Sequence, residues 1–289
     1  MTVAPWRQDR TYHPPADHCP LDATGPGMPE TEIPEPDYHI VVFENRFPSF
    51  TGEQGRCEVV CYTPVHDSSL GEQSVEHIQD LIDVWRDRTN ELSRLPNVRY
   101  VYIFENRGEA IGVTLSHPHG QIYAYPFVPP VIERELRAEA RYKRKTGRCL
   151  YCDVIEGEKG GERVVLRDES WMAFVPFFAR WPYEVHLAPV AHRGGFADLD
   201  PGEDESFARI LKGLLQKYDR LFDKPLPYVM AMHQRPPGRG GGQHHFHVEF
   251  YPPNRSRDKL KYLAGSELGA GAFILDARAE DSAAELRGV

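Results

Sequence analysis

Two imidazoles stand one residue apart in Ser116-His117-Pro118-His119-Gly120-Gln121-Ile122-Tyr123. In an extended chain, side chains two apart share a face, so His117, His119 and Gln121 project together. Pro118 has no N–H and a restricted backbone, which stiffens the array, and Gly120 lets another group approach closely. Such a rigid polar triplet is a poor core strand and a good reaction site. A neutral imidazole is a nucleophile at pH 7 without prior deprotonation and can attack phosphorus to form a phosphoramidate. That chemistry needs the other ring nitrogen held as a donor, with Gln121 donating to a phosphate oxygen as charge develops. The competing reading makes both histidines metal ligands, or His119 a hydrogen-bonded surface residue. The spacing alone leaves these open.

A second constellation is Cys149 and Cys152, a C-x2-C pair, with His192 and His245. Two thiolates so spaced can turn around one ion, and two distant imidazoles complete a tetrahedron suited to structural Zn²⁺. The matching positions of the first half are Cys19, Asp22, His66 and His117, with a carboxylate where the second thiolate is expected. Cys57 and Cys61 share a strand face and read as small buried hydrophobes. Phe43-Glu44-Asn45-Arg46-Phe47-Pro48 and Phe104-Glu105-Asn106-Arg107-Gly108 each set an amide and a guanidinium at a strand end. Arginine suits phosphate and asparagine a base or ribose, although ordinary turn chemistry also favours these residues. Pro236–Gln243 is glycine-rich but lacks Walker spacing and precedes a strand, which favours a flexible lid or a plain connection.

These side chains need elements to hold them. Proline and glycine make roughly the first forty residues an irregular arm. Strands are expected at Tyr38–Phe43, Cys57–Tyr62, Arg99–Phe104 and Gln121–Tyr125, with a helix over Val75–Leu95 whose apolar residues recur at three, four and seven. A charged helix follows over Glu133–Lys145. The second half repeats the plan. Strands fall at Trp171–Val175, Glu184–Pro189, Tyr228–Met232 and His245–Tyr251, and Phe207, Ile210, Leu211, Leu214, Tyr218 and Leu221 mark one face of a long helix. Thr63-Pro64-Val65-His66 parallels Ala188-Pro189-Val190-Ala191-His192, and His117-Pro118-His119-Gly120-Gln121 parallels His245-Phe246-His247-Val248-Glu249. An internal duplication with its join near Glu135–Gly147 follows. Hairpin-like strands with one long helix per half imply an α+β fold, a mainly antiparallel sheet flanked by helices.

Composition bounds the function. At 289 residues and a net charge of −9, the chain is no general polyanion binder, so nucleic acid is excluded as a partner. No apolar run is long enough to span a bilayer, and Met1–Pro20 lacks a signal-peptide core. A soluble cytoplasmic protein is expected. Five cysteines, an odd count, with 13 histidines favour metal ligation over disulfides.

With these residues in view, the chain resembles the galactose-1-phosphate uridylyltransferases, a branch of the histidine-triad superfamily, from about Trp6 to Leu286. The most specific match is His117-Pro118-His119-Gly120-Gln121-Ile122-Tyr123-Ala124. Val42–Ser49, Phe104–Gly108, Trp181-Pro182-Tyr183-Glu184, Glu249–Pro253 and Lys261–Glu267 support it. The resemblance implies two tandem histidine-triad-like repeats, 1–136 and 137–289, and a ping-pong reaction. His119 would attack the α-phosphorus of UDP-glucose and hold UMP covalently, and galactose 1-phosphate would then collect it as UDP-galactose. It also implies that Gln121 and Thr114 contact the transferred phosphoryl group, with Asn106 near. Arg7 and Arg10 would bind the nucleotide phosphates, and Phe43, Asn45 and Arg46 the uracil and ribose. Lys261 and Glu267 would hold the hexose, partly across a homodimer interface. Cys19, His66 and His117 match zinc ligands, and Glu135, His233, His247 and Glu249 match a further metal site of some members. The alternatives are a nucleotidyl transferase or phosphorylase of the same superfamily acting on ADP-glucose, and an inactive zinc-stabilised binding protein.

Overall fold

A computed structural model describes residues 19–25, 30–50, 52, 55–238 and 244–289. Arg7, Arg10 and the glycine run at 239–243 lie outside the described residues. The strands of the first half are β1 (Val41–Glu44), β2 (Arg56–Cys61), β3 (Tyr100–Arg107) and β4 (His119–Tyr125), with α1 (Val75–Ser93) between β2 and β3. Then come α2 (Pro130–Thr146), α3 (Leu150–Glu158), β5 (Val164–Arg167), β6 (Trp171–Phe174) and β7 (Val185–Pro189). The chain continues through α4 (Pro201–Leu221), β8 (Tyr228–His233), β9 (His247–Tyr251), a small hairpin of β10 (Asn254–Ser256) and β11 (Lys259–Leu260), and α5 (Ala279–Gly288).

Among the described residues, nine strands form one antiparallel sheet in the order β1-β2-β4-β3-β8-β9-β7-β6-β5. Each half contributes strand, strand, long helix, strand, strand, and β5 adds an edge. The halves meet where β3 pairs with β8, Phe104 facing Ala231. The fold is α+β, as the sequence predicts.

Period-two alternation gives this sheet two unlike faces. Val101, Ile103, Ile122, Ala124, Val185, Leu187, Met230, Met232, Val248 and Phe250 are all buried on one face, in a core with Trp85 of α1 and Phe207, Leu211 and Leu214 of α4. α1 starts where the Ser74 hydroxyl accepts the His77 N–H at 3.1 Å. α4 starts where Glu203 accepts the Asp200 N–H at 2.8 Å, a reciprocal cap that satisfies donors a helix start leaves over. The opposite face carries His119, Gln121, Phe104, Asn106, His186, His233, His247 and Glu249, out of register with the core by one residue on each strand.

α3 was not anticipated. Cys149 is the residue before α3 and Cys152 lies in its first turn, so the C-x2-C pair sits at a helix start. Gly120 admits a close approach, as expected, and the structure identifies the group. A Cβ there would lie 2.2 Å from the Tyr62 hydroxyl oxygen, on the core side. The group that approaches closely is therefore a buried tyrosine. Gly120→Ala is expected to cost about 1–3 kcal/mol by overpacking, or roughly 3–9 °C in Tm. Adding Tyr62→Phe should recover most of that loss, and a Gly120→Ala protein as stable as the parent would refute the packing account.

Tyr62 leads to a buried carboxylate. Glu105 of β3 accepts from the Tyr228 hydroxyl at 3.1 Å and the Tyr62 hydroxyl at 3.4 Å. Burial pushes its pKa up to about 7, against the lowering pull of Arg107 and the two hydroxyls. An unfolded-state carboxyl titrates near 4.5, so between those values the native state keeps a proton the unfolded state has lost. This contribution to stability is complete below pH 4.5, falls as pH rises to about 7, and is absent above it. Urea midpoints of Glu105→Gln should therefore gain on those of the parent across that window, and parallel pH profiles would contradict it.

Candidate active site and metal centres

β4 presents His119 and Gln121 from the face opposite the core. The His119 Nδ1–H donates to the His117 carbonyl at 2.7 Å. That bond settles the tautomer and leaves the lone pair on Nε2, the arrangement a nucleophilic imidazole needs. His119 and Gln121 line a cavity of about 380 Å³ together with Asn106 and Thr114, and with Phe43, Asn45 and Arg46 from the end of β1. Seven predicted site residues thus share one space. Asn106 reaches it because β3 pairs with β4, Phe104 opposite Gln121, which carries Asn106 to the level of His119. Sequence reasoning missed the rest of the wall, which includes Pro20, Leu21, Glu32, Val59 and Tyr123 and the segment 111–113 before Thr114. Val59 and Tyr123 were recoverable from strand alternation. Glu32 had no local signal.

Lys261 and Glu267 are not among the residues lining this cavity. Lys261 is buried, its ammonium donates to the Ile274 carbonyl, and it lies 3.7 Å from Glu267.

The predicted metal groups assemble. The ligand atoms of Cys19, Asp22, His66 and His117 all lie within 4.8 Å of one another, as do those of Cys149, Cys152, His192 and His245. The two share a construction. The His117 Nε2–H donates to the Thr63 carbonyl at 2.8 Å, and the His245 Nε2–H to the Pro189 carbonyl at 2.9 Å. Each turns its Nδ1 lone pair inward, and such orientation by outer partners is usual for metal-bound imidazoles. In the first group Nδ1 of His117 faces Asp22 at 3.0 Å and Nδ1 of His66 faces it at 2.8 Å. In the second, Cys152 Sγ lies 3.4 Å from His192 Nδ1 and 3.3 Å from His245 Nδ1.

Burial lowers the pKa of His117 and takes that of His245 down to about 3. Burial also pushes the thiols up, Cys19 to about 11 and Cys152 to about 12. Neutral imidazoles with inward lone pairs, set against groups that are stable as anions only beside a cation, fit a bound metal ion.

A third group joins Glu135 of α2 to His233, His247 and Glu249. His247 repeats the nucleophile's geometry, its Nδ1–H donating to the His245 carbonyl at 2.8 Å. Its Nε2, however, faces Glu249 at 3.3 Å. Burial opposes charge on His233, but Glu135 and Glu249 outweigh it and hold its pKa up at about 9. Behind Glu249 lies a satisfied network. Arg180 donates to Glu249 at 2.8 Å and to Glu184 at 3.2 Å, and Glu184 is 3.0 Å from His186 Nε2. The network has an arginine as its cation and orients Glu249 from behind.

Known proteins share this fold and sequence. Residues 44–129 match the model of the galactose-1-phosphate uridyl transferase N-terminal domain, and residues 135–289 that of the C-terminal domain. A galactose-1-phosphate uridylyltransferase of Streptomyces lividans is 51% identical over 236 residues, spanning 80% of this chain and 66% of that protein. One from Thermotoga maritima is 41% identical, spanning 99% of this chain and 94% of that protein. A solved uridylyltransferase structure superposes with a TM-score of 0.89 at 34% identity, covering 100% of this chain and 94% of the other. A plant ADP-glucose phosphorylase, at 24% identity and a TM-score of 0.80, shares the fold. With both domain models matched in order, the chain belongs to the galactose-1-phosphate uridyl transferase family.

Proposed function

We propose that this chain is a UDP-glucose:hexose-1-phosphate uridylyltransferase working through a uridylyl-His119 intermediate. The observation that carries the reading is the His119 Nδ1–H bond to the His117 carbonyl, inside a cavity shared with Gln121, Asn106 and Thr114. In the first half-reaction Nε2 attacks the α-phosphorus, an N–P bond forms, and the bond to the bridging oxygen breaks as glucose 1-phosphate leaves. As the ring gains positive charge, the His117 carbonyl stabilises its remaining N–H. In the second, a phosphate oxygen of galactose 1-phosphate attacks the same phosphorus, the N–P bond breaks, and UDP-galactose departs. Both leaving groups are weakly basic phosphates, so a strong general acid is not required. Gln121 would steady the transferred oxygens. Phe43 and Asn45 suit the base, and Arg46 the nucleotide's sugar end.

The remaining assignments belong to this reading. Arg7 and Arg10 would meet the nucleotide phosphates. Lys261 and Glu267 would meet the hexose across a homodimer, and the exposed Tyr262, Leu268 and Ile274 beside them supply an apolar contact surface. Zn²⁺ is our assignment for the groups at Cys149 and Cys19; at the latter it would tie the turn entering β4, which carries His117, to the chain at Cys19–Asp22. The repeats would divide at 136/137, consistent with the strand order. A cytoplasmic setting suits five free cysteines, and no helix described is long and apolar enough to cross a membrane.

Incubation with UDP-glucose labelled at the α-phosphate should leave an acid-labile, base-stable label on the protein, absent from His119→Ala. No label on the parent, or label persisting in the variant, would end the covalent mechanism, and stronger labelling from ADP-glucose would reassign the base. Metal content should fall by about one equivalent in Cys149→Ser, with the loss read by elemental analysis. Unchanged zinc would overturn the second-half assignment.

A further inference from the structure

Glu32 is the sole carboxylate among the described residues lining the His119 cavity. One of its oxygens, Oε1, accepts from Arg46 Nη1 at 3.0 Å. The other, Oε2, accepts no hydrogen bond among the described residues. The Arg46 side chain is 69% exposed, and so open an ion pair adds about 0–1 kcal/mol or less to stability. Folding therefore does not account for the carboxylate.

The placement is nevertheless built. The Glu32 N–H donates to the Pro20 carbonyl at 3.1 Å. Its neighbour Thr31 donates its hydroxyl to the Asp22 carbonyl at 2.6 Å, and Ile33 on the other side is buried. Glu32 is thus fixed to the segment that carries Cys19 and Asp22.

A carboxylate in a cavity meant for a diphosphate repels the ligand it should attract. It is tolerable where a neighbouring cation offsets it and where it meets a part of the ligand that donates hydrogen bonds. Arg46 supplies the offset. In a ribonucleotide, the vicinal 2′- and 3′-hydroxyls offer two donors at the spacing of a carboxylate's acceptors, and acidic side chains hold ribose in this way in dinucleotide sites.

We infer that Glu32 reads the ribose, its carboxylate accepting the 2′-hydroxyl of the nucleotide bound in the His119 cavity while Arg46 balances its charge. This deepens the uridylyl-transfer reading and rests on it for the identity of the nucleotide. The cavity would then select ribonucleotides over deoxyribonucleotides by a residue outside the His-Pro-His-Gly-Gln motif.

The test is equilibrium binding of UMP and 2′-deoxy-UMP to the full chain, in the parent, Glu32→Ala and Glu32→Gln, with covalent labelling in parallel. A hydrogen bond to a charged acceptor predicts that the parent prefers UMP by about 10-fold to 100-fold. Glu32→Ala should lose that preference by weakening UMP alone, and Glu32→Gln, which keeps one acceptor, should fall between. Tm should stay unchanged. Preference persisting in Glu32→Ala, equal weakening of both nucleotides, or a loss confined to the KM for hexose 1-phosphate would each overturn the inference. A parent that discriminates between the nucleotides yet takes no label would instead sink the transfer chemistry and leave the ribose contact standing. A parent that binds neither nucleotide would end both.

Discussion

A backbone carbonyl that takes the Nδ1 proton of the histidine two residues along decides what each half of this molecule can do. Before β4 it is His117 accepting from His119, and before β9 it is His245 accepting from His247. Each bond spends one ring nitrogen so that the other keeps its lone pair. What faces that lone pair then separates the halves. His119 opens into a cavity with Gln121, Thr114 and Asn106, whereas His247 meets the carboxylate of Glu249. Gln121 follows His119 by two residues where Glu249 follows His247, and Glu135 and His233 complete the second group.

The first histidine of each H-x-H run works in the opposite sense. His117 and His245 give their Nε2 protons to the Thr63 and Pro189 carbonyls at the exits of β2 and β7, and so turn Nδ1 inward. Each stands two residues before the histidine that opens β4 or β9, just outside the strand, and within the strands the core uses the alternate positions. On the strands, alternate positions keep the main core and the polar side chains on opposite sides, and the loops at the strand ends add Asn45, Arg46, Thr114 and the remaining metal-type side chains.

Much of this was legible before any coordinates. The H-x-H runs, the proline between two imidazoles and the repeated order of strands and long helix are local patterns with period two or 3.6, and such patterns report on their own structure. Both C-x2-C-like groups assembled as read because their partner histidines recur at matching places in the two halves. The parts that were not legible depend on distance in space. α3 was hidden because two cysteines in a short apolar stretch say nothing about helix. The packing of Gly120 depends on Tyr62, which arrives from the end of another strand. Glu32 and the Arg180–Glu184–His186 network come together only through tertiary contacts.

The seam between the halves has a consequence for assembly. β3 and β8 pair over five residues, from Ile103 opposite Met232 to Arg107 opposite Tyr228. Cut there, each half would present an open edge strand, the kind of surface that recruits another copy. Its simplest closure would be association of two halves, which becomes weaker on dilution. Joining the halves in one polypeptide makes that closure unimolecular. The sheet's continuity is then independent of protein concentration, and one strand of the pair could diverge toward chemistry while its counterpart kept a different task.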